Sequence, residues 1–227
     1  GIWAEMLEDR KFYYPVGHEH SPWKSLASEQ TVAMSSESSF VGDHTPVVSP
    51  AGKGAGILQE EVGMRADMTY SGRIHLKANP GIQEVDVILD WQSGADTVHI
   101  KNLTPAYKEY PLRFKAGATT LEGRVKVRGY GDGTFHIGTL SLMPDDNVHG
   151  FRADVLEKLK QLNSPVYRWP GGNFVSGYNW KDGIGERDKR PPRKNPAWTG
   201  VEHNDVGIHE FMKLCELLNT EPYIAVN

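Results

Sequence analysis

Val166-Tyr167-Arg168-Trp169-Pro170-Gly171-Gly172-Asn173-Phe174-Val175-Ser176-Gly177-Tyr178-Asn179-Trp180 is the stretch on which the reading of this sequence turns. A short apolar strand ends there on an arginine that reads as buried. Pro170 and two glycines then break the chain, which goes on to present an asparagine and several aromatic rings. Polar groups fixed at a strand end, beside flat apolar rings, are what a sugar pocket requires. The rings cover the apolar faces of a sugar, and Arg and Asn address its hydroxyls.

Helical periodicity flanks this stretch. Val155, Leu156, Leu159 and Leu162 fall on one helix face before it, and Ile208, Phe211, Met212, Cys215 and Leu218 do so after it. Asn204 or Asp205 is placed to cap the second helix, and Asn219 with Pro222 punctuates its end. Tyr223-Ile224-Ala225-Val226-Asn227 then reads as a buried strand. Helix, strand, helix, strand predicts parallel strands with helical crossovers. Two strands cannot complete such a sheet. Together with Gly1 at the start and a strand at the very end, this predicts a piece of a longer protein.

In a (β/α)8 barrel the active site lies at the C-terminal ends of the strands. Arg168 and Asn227 fall at such ends, and Asn173 follows the first closely. The segment from Tyr178 to Asn204 joins strand to helix on the same face and carries Trp180, Arg187, Arg190, Arg193, Trp198, Glu202 and His203. Connections of that length are usually functional or disordered. A structural ion pair for Arg168 and a plain tight turn at Gly171-Gly172 fit the spacing equally well.

Residues from about Glu29 to Pro144 change period. Ile74, Leu76 and Ala78 alternate with polar residues, as do Val98 and Ile100, then Tyr110, Leu112 and Phe114. Val125 and Val127, Phe135 and Ile137, and Leu140 and Leu142 follow the same rule. Such runs predict half-buried antiparallel strands. Asn79-Pro80-Gly81, Ser93-Gly94, Ala116-Gly117 and Gly131-Asp132-Gly133 supply the turns, and the whole predicts a β-sandwich. Before it, Trp3 to Glu8 reads as a short helical pattern, followed by the aromatic cluster Phe12, Tyr13 and Tyr14.

The totals are those of an ordinary globular chain. Of 227 residues, 38% are hydrophobic and 24% charged, and the net charge of −4 offers no electrostatic reason to expect nucleic acid or an anionic membrane as partner. One cysteine, Cys215, excludes an internal disulfide and a cysteine zinc cluster; its helix face points to packing. His18-Glu19-His20 has metal-like spacing but no third ligand nearby, so a polar loop is favoured. Gly52-Lys53-Gly54-Ala55-Gly56 lacks the ending of a phosphate loop and reads as a turn.

Arg168 through Trp180, followed by Asp182-Gly183-Ile184-Gly185, resembles the hallmark segment of glycoside hydrolase family 51, the α-L-arabinofuranosidases, in which Tyr usually stands at the position of Trp169. The resemblance continues through Arg190-Pro191, Ala197-Trp198, Val201-Glu202-His203-Asn204 and Glu221 to Asn227. Near the start, Gly1-Ile2-Trp3-Ala4-Glu5-Met6 is similar to the segment after the family's first barrel strand. It implies an α/β fold, a partial (β/α)8 TIM barrel, and a retaining hydrolase of terminal α-L-arabinofuranosyl groups on arabinoxylan, arabinan or related oligosaccharides. Retention requires an acid/base and a nucleophilic carboxyl. Neither family segment is in this chain, and both glutamates are expected beyond Asn227. Glu5 and Glu8 are not the family's sugar-binding glutamate, which lies upstream of Gly1. The motif implies that Arg168 and Asn173 contact or position the arabinose ring and its carboxylate neighbours. Trp198 is expected to wall the pocket, and Asn227 to lie at its mouth.

The all-β stretch resembles the carbohydrate-binding modules inserted in one branch of that family. Tyr70 to Ile74 and Gly133 to Pro144 carry this likeness. The expected organisation is therefore barrel start over 1–28, an inserted jelly-roll-like β-sandwich over 29–145, and barrel again over 146–227. Trp91 and Tyr130 are candidate stacking platforms. Such modules often hold a structural Ca²⁺, for which Asp43, Glu60 and Asp67 are available; no other cofactor is expected. Expected partners are an arabinose-containing glycan, the remainder of the polypeptide and, as an open alternative, further copies of itself. Polysaccharide substrates lean toward export, though a cytoplasmic site is compatible. A β-xylosidase or endoglucanase, and a non-catalytic carbohydrate-binding protein on a decayed barrel, remain the alternatives.

Overall fold

A computed structural model describes residues 1–227. The chain divides into two compact units, Glu5–Asp145 on one hand and Gly1–Ala4 with Asp146–Asn227 on the other.

The first unit is a sandwich of two five-stranded antiparallel sheets. Its strands are β1 (Trp23–Ser25), β2 (Val32–Ser35), β3 (Thr45–Val48), β4 (Ala55–Met64), β5 (Thr69–Ala78), β6 (Ile82–Asp90), β7 (Ala95–Lys101), β8 (Lys108–Lys115), β9 (Thr120–Gly131) and β10 (Phe135–Pro144). One sheet runs β1-β4-β9-β6-β7 and the other β2-β3-β10-β5-β8. The alternating apolar residues fill the space between them. Ile57, Val85, Val87, Leu89, Val125 and Val127 come from one sheet; Ile74, Leu76, Leu112, Phe114, Phe135 and Ile137 come from the other. All are fully or almost fully buried. The four turn signals fall between consecutive strands as read, with Gly81 and Gly131 at φ +105° and +120°.

One apparent break in the alternation has a local cause. Phe135 and Ile137 point inward, yet so do Leu140 and Leu142, which have the opposite parity. The pairing of β10 with β5 slips between Ile137 and Thr139. This β-bulge spends one extra residue and returns the next apolar residues to the core. A Cβ on Gly138, at the bulge, would meet the Phe40 side chain at 2.7 Å.

Two expectations are corrected here. Residues 5–28 do not stand apart from the sandwich. β1 pairs with β4, Phe12 and Trp23 are buried together with tilted rings 5.5 Å apart, and the Trp23 indole N–H donates to the Asp9 carbonyl at 3.1 Å. Phe12 of the aromatic cluster that preceded the all-β stretch is thus core, Tyr13 and Tyr14 are half-buried, and the lower boundary falls at Ala4/Glu5 rather than 28/29. Second, Trp3 to Glu8 is not helical. The Glu5 carboxylate accepts from the Met6, Leu7 and Leu142 N–H groups and from the Ser141 hydroxyl. Those donors hold the segment extended along β10.

The second unit contains α1 (Ala153–Leu162), β11 (Val166–Trp169), the single-turn α2 (Phe174–Gly177), a short ribbon of β12 (Arg193–Lys194) with β13 (Val201–Glu202), α3 (Ile208–Leu218) and β14 (Glu221–Ile224). β11 and β14 pair in parallel, with Arg168 opposite Tyr223 and Trp169 opposite Ile224. Both predicted helices form, each ending on an asparagine in the left-handed conformation, Asn163 and Asn219. The start of α3 differs from expectation. Its cap is Gly207, whose N–H donates to the Glu210 carboxylate at 2.8 Å, and neither Asn204 nor Asp205 serves. Taken whole, the chain is mostly antiparallel β; its α/β character is confined to residues after 152. No helix is long and apolar enough to cross a membrane.

Replacing Trp23 with alanine empties a fully buried site between β1 and the core, and should destabilise the sandwich by about 3–5 kcal/mol. Urea unfolding followed by far-UV circular dichroism measures it. A loss under ~1 kcal/mol would place residues 5–28 outside the sandwich core.

Candidate functional site

The parallel pair sorts its side chains by alternation. Tyr167 and Trp169 are half-buried, and Trp169 stacks on Phe211 of α3, centroids 5.7 Å apart. Val166 and Arg168 point to the other face, where Tyr223 on β14 is also 59% exposed. Arg168 is therefore not buried as its context implied. Its guanidinium makes no hydrogen bond or ion pair within the chain, which removes the structural ion pair as an account of it. A Cβ on Gly171 would come within 2.9 Å of that guanidinium, so glycine there leaves it room.

The break after β11 turns the chain over. The Trp169–Pro170 peptide is cis and Gly172 lies at φ +61°. Asn173 then opens α2 with its side chain exposed and uninvolved in capping. Behind it, Phe174 stacks on Tyr178 at 4.7 Å and Tyr178 meets Trp169 edge-on at 5.6 Å. The aromatics of this stretch thus form the floor of the turn, leaving Asn173 on its surface. At the end of β14, the Ala225 N–H donates to the Trp169 carbonyl, and the Asn227 side chain donates to the Ser176 carbonyl at 3.1 Å. Arg168, Asn173 and Asn227 are accordingly gathered at the C-terminal ends of two parallel strands. Trp198 is not joined to them. It sits on a turn organised by the Asn195 side chain, which accepts from the Ala197 and Trp198 N–H groups, and its ring is 66% exposed.

The long connection owes its order to residues that sequence reading assigned to the site or passed over. Arg190 is buried. It donates to the Gly185, Asn204 and Asp205 carbonyls and makes a bidentate pair with Glu210, both contacts at 3.0 Å. Arg187 adds a second contact to Glu210 at 2.9 Å and lies over the Trp3 ring at 4.7 Å. Burial by itself pushes the Glu210 carboxyl upward. The Arg190 guanidinium, the Gly207 N–H and Arg187 outweigh it and bring the carboxyl down to about 2. Arg193 pairs with Asp182 at 3.0 Å. These arginines therefore hold the loop. Glu210 was missed because it looks like one more polar residue in an amphipathic helix; its position three residues after Gly207 is the signal.

Beside this loop lies a cavity of about 420 Å³ lined by residues including Tyr178, Asn179, Asp182, Arg193 and Glu202. Burial, with Glu202 nearby, pushes the Tyr178 phenol up to about 12. In the sandwich, Trp91 lies against Gly94 and Gly117, whose added Cβ atoms would meet its ring at 3.0 and 2.7 Å. It packs on the core. Tyr130 lies on the outer sheet face beneath Arg128, 5.3 Å from its ring. Glu60 is paired with Lys24 and Arg124, and Asp67 with Lys115, so Asp43, Glu60 and Asp67 form no common oxygen cage.

The family model described as the alpha-L-arabinofuranosidase 1 domain matches residues 158–227. A probable alpha-L-arabinofuranosidase C of Aspergillus clavatus is 57% identical over 84 residues, covering 37% of this chain and 17% of that protein. An intracellular exo-alpha-L-arabinofuranosidase of Bacteroides ovatus is 47% identical over 96 residues, 42% of this chain and 18% of that protein. The chain thus spans under a fifth of the length of these relatives. Among solved structures, the arabinose-bound MgGH51 α-L-arabinofuranosidase superposes on all of this chain and 41% of its own, with TM-score 0.84 and 21% identity. The fold is therefore shared over the whole length, and the family 51 resemblance read from the hallmark segment is borne out.

Glu210→Ala would leave Arg190 buried without its charge partner, a loss of roughly 3 kcal/mol. Amide exchange in α3 should then speed up about 100-fold. Because the folded carboxyl titrates near 2 against an ordinary 4.5, its contribution is complete above about pH 4.5 and fades as pH falls toward 2. Unchanged α3 protection between pH 5 and 2.5 would contradict this.

Proposed function

We propose that this chain forms part of a retaining α-L-arabinofuranosidase, in which β11, α3 and β14 belong to a (β/α)8 barrel and Arg168, Asn173 and Asn227 help to bind the terminal arabinofuranosyl unit. The observation that carries this reading is the exposed, unpaired Arg168 guanidinium at the C-terminal end of a parallel strand, with Asn173 exposed on the turn that follows, within the residues 158–227 that the family model matches. That end is where (β/α)8 enzymes place their chemistry. The exposed face bearing Val166, Arg168 and Tyr223 is, in this reading, the barrel interior.

The roles follow from the side chains. Arg168 offers a planar, permanently charged fork that can hold a catalytic carboxylate and keep it ionised. Asn173 presents both a donor and an acceptor to vicinal hydroxyls. Trp198 supplies an exposed apolar wall once substrate or neighbouring chain approaches it. The two catalytic carboxyls are supplied from outside this sequence, one as acid/base and one as the nucleophile that forms the glycosyl-enzyme. The substrate class is an arabinose-bearing oligo- or polysaccharide.

The test is turnover by the longer protein of para-nitrophenyl α-L-arabinofuranoside, with the β-xyloside and β-glucoside alongside. Preference for the arabinofuranoside is expected. Arg168→Ala and Asn173→Ala should each lower kcat/KM at least ~100-fold, the scale of ~2.7 kcal/mol of transition-state binding. Near-normal turnover in both variants would remove these residues from the site. Binding of arabino-oligosaccharide without hydrolysis of any glycoside would favour a carbohydrate-binding protein instead.

A further inference from the structure

The sandwich carries a second constellation, unrelated to the Arg168 face. On β6, Val85, Val87 and Leu89 enter the core, so Glu84 and Asp86 stand two residues apart on the outer face. The antiparallel register of β7 places His99 opposite Asp86 and Lys101 opposite Glu84. The His99 Nδ1 atom lies 2.7 Å from Asp86 Oδ1 and 3.0 Å from Glu84 Oε1. Such a nitrogen carries at most one hydrogen and cannot give a full hydrogen bond to both oxygens.

We propose that Glu84, Asp86 and His99 bind a divalent transition-metal ion, with zinc the best-matched chemistry. Their three ligand atoms lie within 4.8 Å of one another. Ligands at ~2.0–2.2 Å around a tetrahedral zinc ion stand about 3.3–3.6 Å apart, so rotamer changes in the Glu84 and His99 side chains, which spread the close His99 contacts and draw the carboxylates together, complete the set. One imidazole nitrogen with two carboxylate oxygens suits zinc better than calcium or magnesium, which prefer all-oxygen cages. A dication also balances the two carboxylates.

The surroundings favour an ion at that point. Asp86 is only 7% exposed, so packing around it limits where its carboxylate can go. Lys101 pairs with Glu84 through Oε2 at 3.1 Å, leaving Oε1 to the ion. His99 is 59% exposed, so its ring can adjust and a water can take the open coordination position. Binding replaces the ring proton shared with the carboxylates.

Calorimetric titration of the chain with ZnCl2 should show one site with a Kd of about 1–10 μM. His99→Gln and Asp86→Asn should each weaken it at least ~10-fold, while the double variant His18→Ala/His20→Ala should bind as the parent does. Absence of saturable binding, or equal affinity in His99→Gln, would overturn the proposal. A readout without substitution is Mn²⁺ line broadening in the parent. Early broadening of the His99 ring resonances supports the site, and broadening first at His18 and His20 overturns it.

Discussion

The paired carboxylate of Glu210 and guanidinium of Arg190 hold the second unit together. A parallel strand pair cannot be closed by a hairpin, so the chain must travel from the end of β11 through a long irregular segment before α3 returns it to β14. That segment has few backbone hydrogen bonds of its own. Arg190 provides them from one side chain, donating to three carbonyls along the loop while its other contacts seat it on Glu210. Glu210 in turn accepts from the Gly207 N–H and so starts α3. Loop order and helix start depend on one buried pair, whose carboxyl is kept ionised by the charge and hydrogen bonds it receives.

This arrangement separates structural from exposed cations. Arg187 and Arg190 are paired with Glu210, and Arg193 with Asp182. Arg168 is not neutralised within the chain, and Gly171 keeps the space beside it open. The exposed Arg168 guanidinium is free to take a partner from outside the chain, and an anionic carboxylate or a polyhydroxylated sugar matches its planar array of donors. The sandwich follows a different logic. Its inner faces are apolar and its outer faces are laced with cross-strand ion pairs, and the cluster of Glu84, Asp86 and His99 stands out because two carboxylates converge on one imidazole nitrogen.

Much of the fold was legible because alternation and turn chemistry agree in the sandwich. Every strand named from its period, from Ile74–Ala78 to Leu140–Leu142, falls within an observed strand, and every named turn within a turn. The parity change inside β10 could be read as two strands; the bulge at Gly138 makes them one. Among the candidate site residues, the order of elements alone places Arg168 and Asn227 at strand ends, with Asn173 close after the first. Their exposure was not legible. An apolar strand of four residues does not reveal which face a neighbour will cover, and here α3 covers the Trp169 face. The roles of Arg187 and Arg190 were likewise hidden, since their partner lies twenty or more residues away.

What this sequence determined by itself is local. It set the periods of strands and helices, the glycine and proline turns, the left-handed asparagine ends of α1 and α3, and the hallmark run from Arg168 to Trp180. These depend on φ/ψ preference and on side-chain spacing, which neighbours along the chain suffice to define. Tertiary structure decided the rest. It placed residues 5–28 in the sandwich, made Glu210 the anchor of the long loop, left Arg168 facing outward, and brought His99 onto Glu84 and Asp86. Each of these is a long-range pairing of burial or charge, and such energies exist only once distant segments have met.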